Sequence, residues 1–202
     1  MTATAAFVVL AIVWGLFGLI YVTGRRGAAP ETKTTVRSPA SRLGIAMQLL
    51  AYAIAFVLER PTATPIVPMS ATADTTLLIA ATVLGVVSLV FCRMAARTLG
   101  KQWSMTARVV AEHELIQRGP FAIVRNPIYL GMFGLLVHAA LVLATWEAAA
   151  AAMTLFLIGT WIRIREEEKI LRRQFGATFE DYAGRVPAFL PFNVFRADRS
   201  RL

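Results

Sequence analysis

Two short clusters in the 202-residue sequence carry residue types that could do chemistry: Arg125-Asn126-Pro127-Ile128-Tyr129 and the run Glu166-Glu167-Glu168. In the first, Asn is a good helix N-cap and Pro is favoured at the first helical position, so a helix is expected to begin there. Capping alone accounts for Asn126 and Pro127. Arg125 and Tyr129 are left over, and a guanidinium beside a helix N-terminus forms a pocket for an anionic group such as a cofactor or substrate carboxylate.

The second cluster lies in Arg163–Phe175, which reads as one helix. With Ile164 at 0° and roughly 100° per residue, Phe175 falls near +20°, Leu171 near −20°, Glu168 near +40° and Glu167 near −60°. Glu166, Lys169 and Arg173 fall on the opposite side. Glu166 is therefore expected on a solvated surface, with Glu167 and Glu168 on or beside the apolar stripe. A carboxylate aimed into a membrane-embedded interior costs about 2.5–3.5 kcal/mol on insertion scales, so each needs a partner or a task. The plain alternative is a helix laced by Arg163–Glu167 and Glu168–Arg172 pairs, worth about 0.2–0.5 kcal/mol each.

Metal and thiol chemistry have little to work with. The single cysteine, Cys92, excludes a disulfide framework and multi-thiolate metal sites. His113, in Glu112-His113-Glu114-Leu115, has no second histidine at ligand spacing, so a polar contact to a cofactor fits it better than a metal. His138, set among Val, Leu and Ala, is expected to be hydrogen-bonded between helices.

The elements that must position these residues are set by hydropathy. The chain is 57% hydrophobic and only 16% charged, with a mean hydropathy of +0.61, against about 25% charged residues in soluble domains. Apolar runs cover Thr2–Gly24, Leu43–Leu58, Thr75–Cys92 and Ile128–Ile162. The first lacks the basic start of a cleavable signal and reads as a retained span. The last is long enough for two short crossings, with Glu147 beside Trp146 marking the turn of a helical hairpin. The expected fold is an all-α integral membrane protein with about five transmembrane helices. Residues 1–98 hold the first three, and 99–202 hold the candidate chemistry, the hairpin over 128–162 and the C-terminal segment.

Charge gives the orientation. Of 21 basic residues, five lie in Arg25–Arg42, six in Arg93–Arg125 and nine in Arg163–Leu202, leaving only Arg60 on the other side. Short cytoplasmic loops collect Lys and Arg, which places the N-terminus outside and the C-terminus and candidate site in the cytosol. The net charge of +9 is thus explained by topology, and no groove-reading motif or aromatic-basic platform suggests nucleic acid.

Gly100-x-x-Trp103-Ser104, His113-x-Leu115, Gly119-Pro120, Arg125-Asn126-Pro127-Ile128-Tyr129-x-Gly131, then Arg163-Ile164-x-x-Glu167-Glu168-x-x-Leu171, Phe175-Gly176, Tyr182 and Val186-Pro187 through Pro191 together resemble the isoprenylcysteine carboxyl methyltransferase family. Its superfamily also includes phospholipid N-methyltransferases. The resemblance covers Leu99 to Pro191. It implies a helical membrane enzyme that transfers the methyl group of S-adenosylmethionine, releasing S-adenosylhomocysteine, to a lipid or prenylated substrate at the cytosolic face. It further implies a cofactor pocket under the C-terminal segment, contacted by His113, Leu115, Gly119, Pro120, Asn126, Tyr129 and Glu167. Arg125, Glu167 and Glu168 would carry the catalytic roles: Arg125 positions an anionic group, and a glutamate holds the cofactor's ammonium or steadies its sulfonium charge. A carboxylate nucleophile needs no general base, whereas an amine or thiol would call on one glutamate.

Four positions depart from the family pattern. Asn126 stands where the family usually has His, Phe121 and Phe179 where it has Tyr, and Ala188 where it has Arg. Asn offers hydrogen bonds but no titratable imidazole, so a proton shuttle there is lost. Two other readings stay open at this level: a membrane reductase using NADPH on an enone or sterol, and a non-enzymatic membrane protein that kept the fold.

Overall fold

The structure, a computed structural model, describes residues 3–27, 39–61, 70–100 and 114–190. Among them it is helical: α1 (Ala3–Gly27), α2 (Pro39–Val57), α3 (Ala71–Leu99), a 3-10 turn at Gly119–Ala122, α4 (Pro127–Leu143), α5 (Trp146–Phe175) and α6 (Ala177–Arg185). Helices α2, α3 and α5 are long and apolar enough to cross a membrane, and two shorter apolar stretches, Thr4–Ile20 and Pro127–Leu143, accompany them. His113 and Pro191 lie outside the described residues.

Local sequence explains the helix ends. Ser70 and Thr145 cap α3 and α5 by accepting the backbone N–H groups of Ala73 and Ala148, each at 3.3 Å. Glu147 then sits in the first turn of α5, where its charge favours the helix N-terminus. The hairpin therefore turns at Ala144–Thr145, two residues before the position that Trp146-Glu147 suggested, because Thr145 is the better cap. Helix α5 runs unbroken from the apolar interior to Phe175, as expected, and ends at Gly176 with φ +50°, a left-handed turn that sends α6 back over the bundle.

Helix α5 packs on α2, and α4 packs on α3. Both contacts are close because small residues face neighbouring chain: Gly131 and Gly134 of α4 meet Cys92 and Ser88 of α3, and Gly44 of α2 meets Gly159 of α5. A methyl on Gly159 would lie 2.8 Å from the Gly44 carbonyl oxygen. Cys92 is thus a small buried packing residue. His138 is fully buried against Gly85, and neither ring nitrogen meets a hydrogen-bond partner among the described residues, contrary to the expected interhelical bond.

The two ends of the bundle differ. At one end, Arg60 N–H donates to the Leu143 carbonyl (2.9 Å), and its guanidinium donates to the carbonyls of Leu141 and Val142 (3.2 Å each), closing the C-terminus of α4. Helix α4 then runs 17 residues, about 25 Å at 1.5 Å per residue, to the end that holds Arg125, Glu167 and Glu168.

Candidate active site

Helix α4 starts where the sequence places it, with Pro127 at the first helical position. Asn126, however, makes no side-chain cap; its Nδ2 donates to the Ala188 carbonyl at 2.9 Å. The amide that was expected to close a helix instead holds the segment following α6. Arg125 does the same on a larger scale. Its backbone N–H donates to Pro187 O (2.9 Å), and its guanidinium donates to Ala183 O (3.0 Å) and Val186 O. The remaining edge of the fork meets Glu168, Nε and NH2 both donating to Oε1 at 2.9 and 2.7 Å. In this structure the anion beside Arg125 is Glu168, with side-chain exposures of 11% and 9%.

The second oxygen of Glu168 accepts from Arg172 at 3.3 Å, and Arg172 also reaches Glu180 of α6 at 2.9 Å. Both guanidinium groups lie over the ring of Phe179, with centroid distances of 6.0 Å for Arg125 and 5.2 Å for Arg172. Phe179 is fully buried and packs with Tyr182 and Val186 against Leu115, Leu171 and Phe175. Tyr182 donates its hydroxyl to Phe121 O at 2.6 Å. Burial pushes that hydroxyl up to about 12, so it stays protonated and keeps donating.

Glu167 enters a different set of contacts. Its Oε1 accepts the Tyr129 hydroxyl and, at 3.4 Å, NH2 of Arg163. The Arg163 guanidinium lies over the Tyr129 ring at 4.8 Å and donates through NH1 to Gln48 Oε1 at 2.9 Å. Gln48 Nε2 in turn donates to Thr160 Oγ1 at 2.8 Å. Both same-helix pairs expected for α5 are present, Arg163–Glu167 and Glu168–Arg172. Partners from α2 and α4 are added to them. Glu166 is less exposed than its helical angle implies, at 19%, because it folds onto Lys169 at 2.6 Å.

A cleft partly open to solvent lies beside these groups. Leu99, Leu115, Ile116, Phe121, Leu171 and Phe179 give it apolar and aromatic walls, and Arg125, Asn126, Glu168, Tyr182 and Glu114 supply polar groups. Of the residues picked from sequence, Leu115, Arg125, Asn126 and Glu168 line the cleft. Tyr129 and Glu167 sit in the adjoining network, and Gly119 and Pro120 form the turn that carries Phe121, Gly119 at φ +60°. The sequence reading missed Gln48 and Thr160, which are unremarkable polar residues in apolar runs. Their signal was a buried amide and hydroxyl lacking any local partner. The donor set suits an amino-acid-bearing nucleoside: a carboxylate for an ammonium and aromatic edges for a base.

Comparison with known proteins follows the same residues. Residues 77–173 match the isoprenylcysteine carboxyl methyltransferase family, a stretch that begins in α3, upstream of Leu99, and stops before α6. The chain is 32% identical over 108 residues to the nickel-cobalt-cadmium resistance protein NccN of Alcaligenes xylosoxydans xylosoxydans, covering 52% of this chain and 50% of that protein. It is also 32% identical over 113 residues to a rice (Oryza sativa) protein named "Probable protein-S-isoprenylcysteine O-methyltransferase", covering 54% of this chain and 59% of the relative. The chain thus spans about half the length of the curated relatives it matches. The segment that holds Arg125, Tyr129 and both inward glutamates is thus the part of the chain that matches the isoprenylcysteine carboxyl methyltransferase family.

Proposed function

We propose that this protein is an integral membrane methyltransferase that uses S-adenosylmethionine on a lipid or lipid-modified acceptor at the cytosolic membrane face. The observation that carries this reading is the cleft lined by Arg125, Asn126 and Glu168, all three within the family-matched stretch. Five spans, an outside N-terminus and a cytosolic site complete the reading. They are supported by the 20 basic residues allotted to one side and by the position of Arg60 at the far end of α4. Residues 99–202 carry the cofactor region, and residues 1–98 complete the bundle around it.

S-adenosylmethionine, when bound, supplies an activated methyl group that a nucleophile takes by direct displacement. The protein's part is then alignment and exclusion of water. Leu115, Phe121 and Phe179 would hold an apolar ring, and Glu168, with Glu167 beside it, would offer negative charge to an ammonium or a sulfonium. Arg125 fixes Glu168 rather than standing free, so its work is to orient that carboxylate and to tie the segment Ala183–Pro187 to the start of α4.

Calorimetry on the purified, detergent-solubilised protein tests the reading. The wild type is expected to bind S-adenosylmethionine, and Glu167→Gln, Glu168→Gln and Arg125→Ala are expected to bind it more weakly. An intact wild-type protein that takes up no S-adenosylmethionine overturns the reading. Preference for NADPH in the same assay selects the reductase chemistry instead.

A further inference from the structure

Gln48 lies in α2, outside the family-matched residues, and is 2% exposed in a helix that is otherwise almost wholly apolar. An amide in such a place is costly unless both its ends are used. Both are: Oε1 accepts from Arg163 and Nε2 donates to Thr160. The approach of the two helices makes this reach attainable. One turn before Gln48, Gly44 faces Gly159, and the aliphatic stem of Arg163 lies against Gly44, in the space a side chain there would fill. Arg163 is thereby laid along α2 with its guanidinium held at one edge by Gln48. Its other edge points to Glu167, and its face covers the ring of Tyr129, which donates to the same carboxylate oxygen.

We propose that Gln48 is a positioning residue for Glu167, acting through Arg163, so that a helix without the family signature fixes one of the two glutamates of the site. The proposal rests on the methyltransferase reading above. Gln48 itself touches neither Glu167 nor the cleft. Its role is to set where the Arg163 charge stands, and so which rotamer of Glu167 is favoured toward Tyr129.

The test uses the full chain in detergent, with S-adenosylmethionine affinity by calorimetry and thermal unfolding measured on the same samples. Gln48→Leu keeps the volume and removes both bonds; about a tenfold loss of affinity is expected, the size of one hydrogen bond to a charged group. Gln48→Asn, one methylene shorter, keeps an amide but withdraws it from Arg163 and is expected to lose affinity in the same direction. Gln48→Glu restores an acceptor for Arg163 and is expected to recover most of the binding. In an Arg163→Met background, Gln48→Leu is expected to change affinity by no more than about twofold, since the intermediary is gone.

A merely structural polar knot between α2 and α5 would give none of this pattern: the Gln48→Leu loss would persist in the Arg163→Met protein, and Gln48→Glu would not rescue it. Wild-type affinity in Gln48→Leu or Gln48→Asn, or full additivity with Arg163→Met, overturns the proposal while leaving the methyltransferase reading in place. A wild type that binds no S-adenosylmethionine overturns that reading and the proposal together.

Discussion

Glu167 and Glu168 are neighbours in sequence, yet they belong to two regions built on different terms. Glu168 faces the cleft, where two arginines divide its oxygens and the Arg125 fork also grips the carbonyls of Ala183 and Val186. Glu167 faces the inside of the bundle, where Tyr129 and Arg163 share one oxygen and Gln48 and Thr160 complete the chain of bonds. The first region is a clamp between the bundle end and a segment folded back over it. The second is a polar thread tying α2, α4 and α5 together. The roughly 100° between successive helical residues is what sends two adjacent carboxylates into different surroundings. One glutamate secures a cover, and the other is held by the bundle.

The largest effect should come from the clamp. Arg125→Ala leaves the buried Glu168 with only the half-exposed Arg172, and breaking a buried pair from one side costs about 3–5 kcal/mol. Thermal unfolding should fall accordingly, and limited proteolysis should cut near Ala183–Ala188; an unchanged digestion pattern would break the division drawn here. Glu167→Gln should separate the regions from the other side. Its amide oxygen still accepts from Tyr129 and Arg163, so unfolding should shift by less than in Arg125→Ala, by about 1–2 kcal/mol, a neutral hydrogen bond replacing a charge-assisted one beside the buried Arg163. S-adenosylmethionine affinity should nevertheless drop, and a large loss of stability would return Glu167 to a purely structural role.

Gly159→Ala probes the thread at its narrowest point. The new methyl meets the Gly44 carbonyl oxygen at 2.8 Å and Met47 Cβ at 3.0 Å, an overpacking worth about 1–3 kcal/mol. Because Arg163 lies along the same contact, affinity should fall with stability in this variant, and a loss of stability alone would detach the helix crossing from the site. The smallest effect is expected from Lys169→Ala. Lys169 is 60% exposed, and its pair with Glu166 belongs to neither region, so unfolding should change within the about 0.2–1 kcal/mol of an exposed ion pair.

The legibility of these features follows their range along the chain. The helix start at Pro127, the continuation of α5 to Phe175 and the same-helix pairs were all readable, because each depends on residues within one or two turns. Asn126 takes the N-cap position as expected but makes no side-chain cap bond: its Nδ2 donates instead to the Ala188 carbonyl, an orientation that no local pattern announces. The turn at Ala144–Thr145 was displaced because a threonine cap outweighed the marker residues Trp146 and Glu147. Gln48 was invisible, since nothing within its own helix says that an arginine 115 positions away will lie across Gly44.

Sequence by itself determined the apolar helices, the crowding of 20 of 21 basic residues into three segments between or after the apolar runs, and the angles of Glu167 and Glu168 on α5. These follow from hydropathy and from 3.6-residue periodicity, which are local and survive any change in packing. Only the tertiary structure decided what those carboxylates meet. Arg125 reaches Glu168 across 43 positions, and Gln48 reaches Arg163 across 115 through a helix contact made close by glycines. Hydrogen-bond partners at such separations are chosen by which donors the packed helices bring within about 3 Å, and that choice is not written in any local pattern.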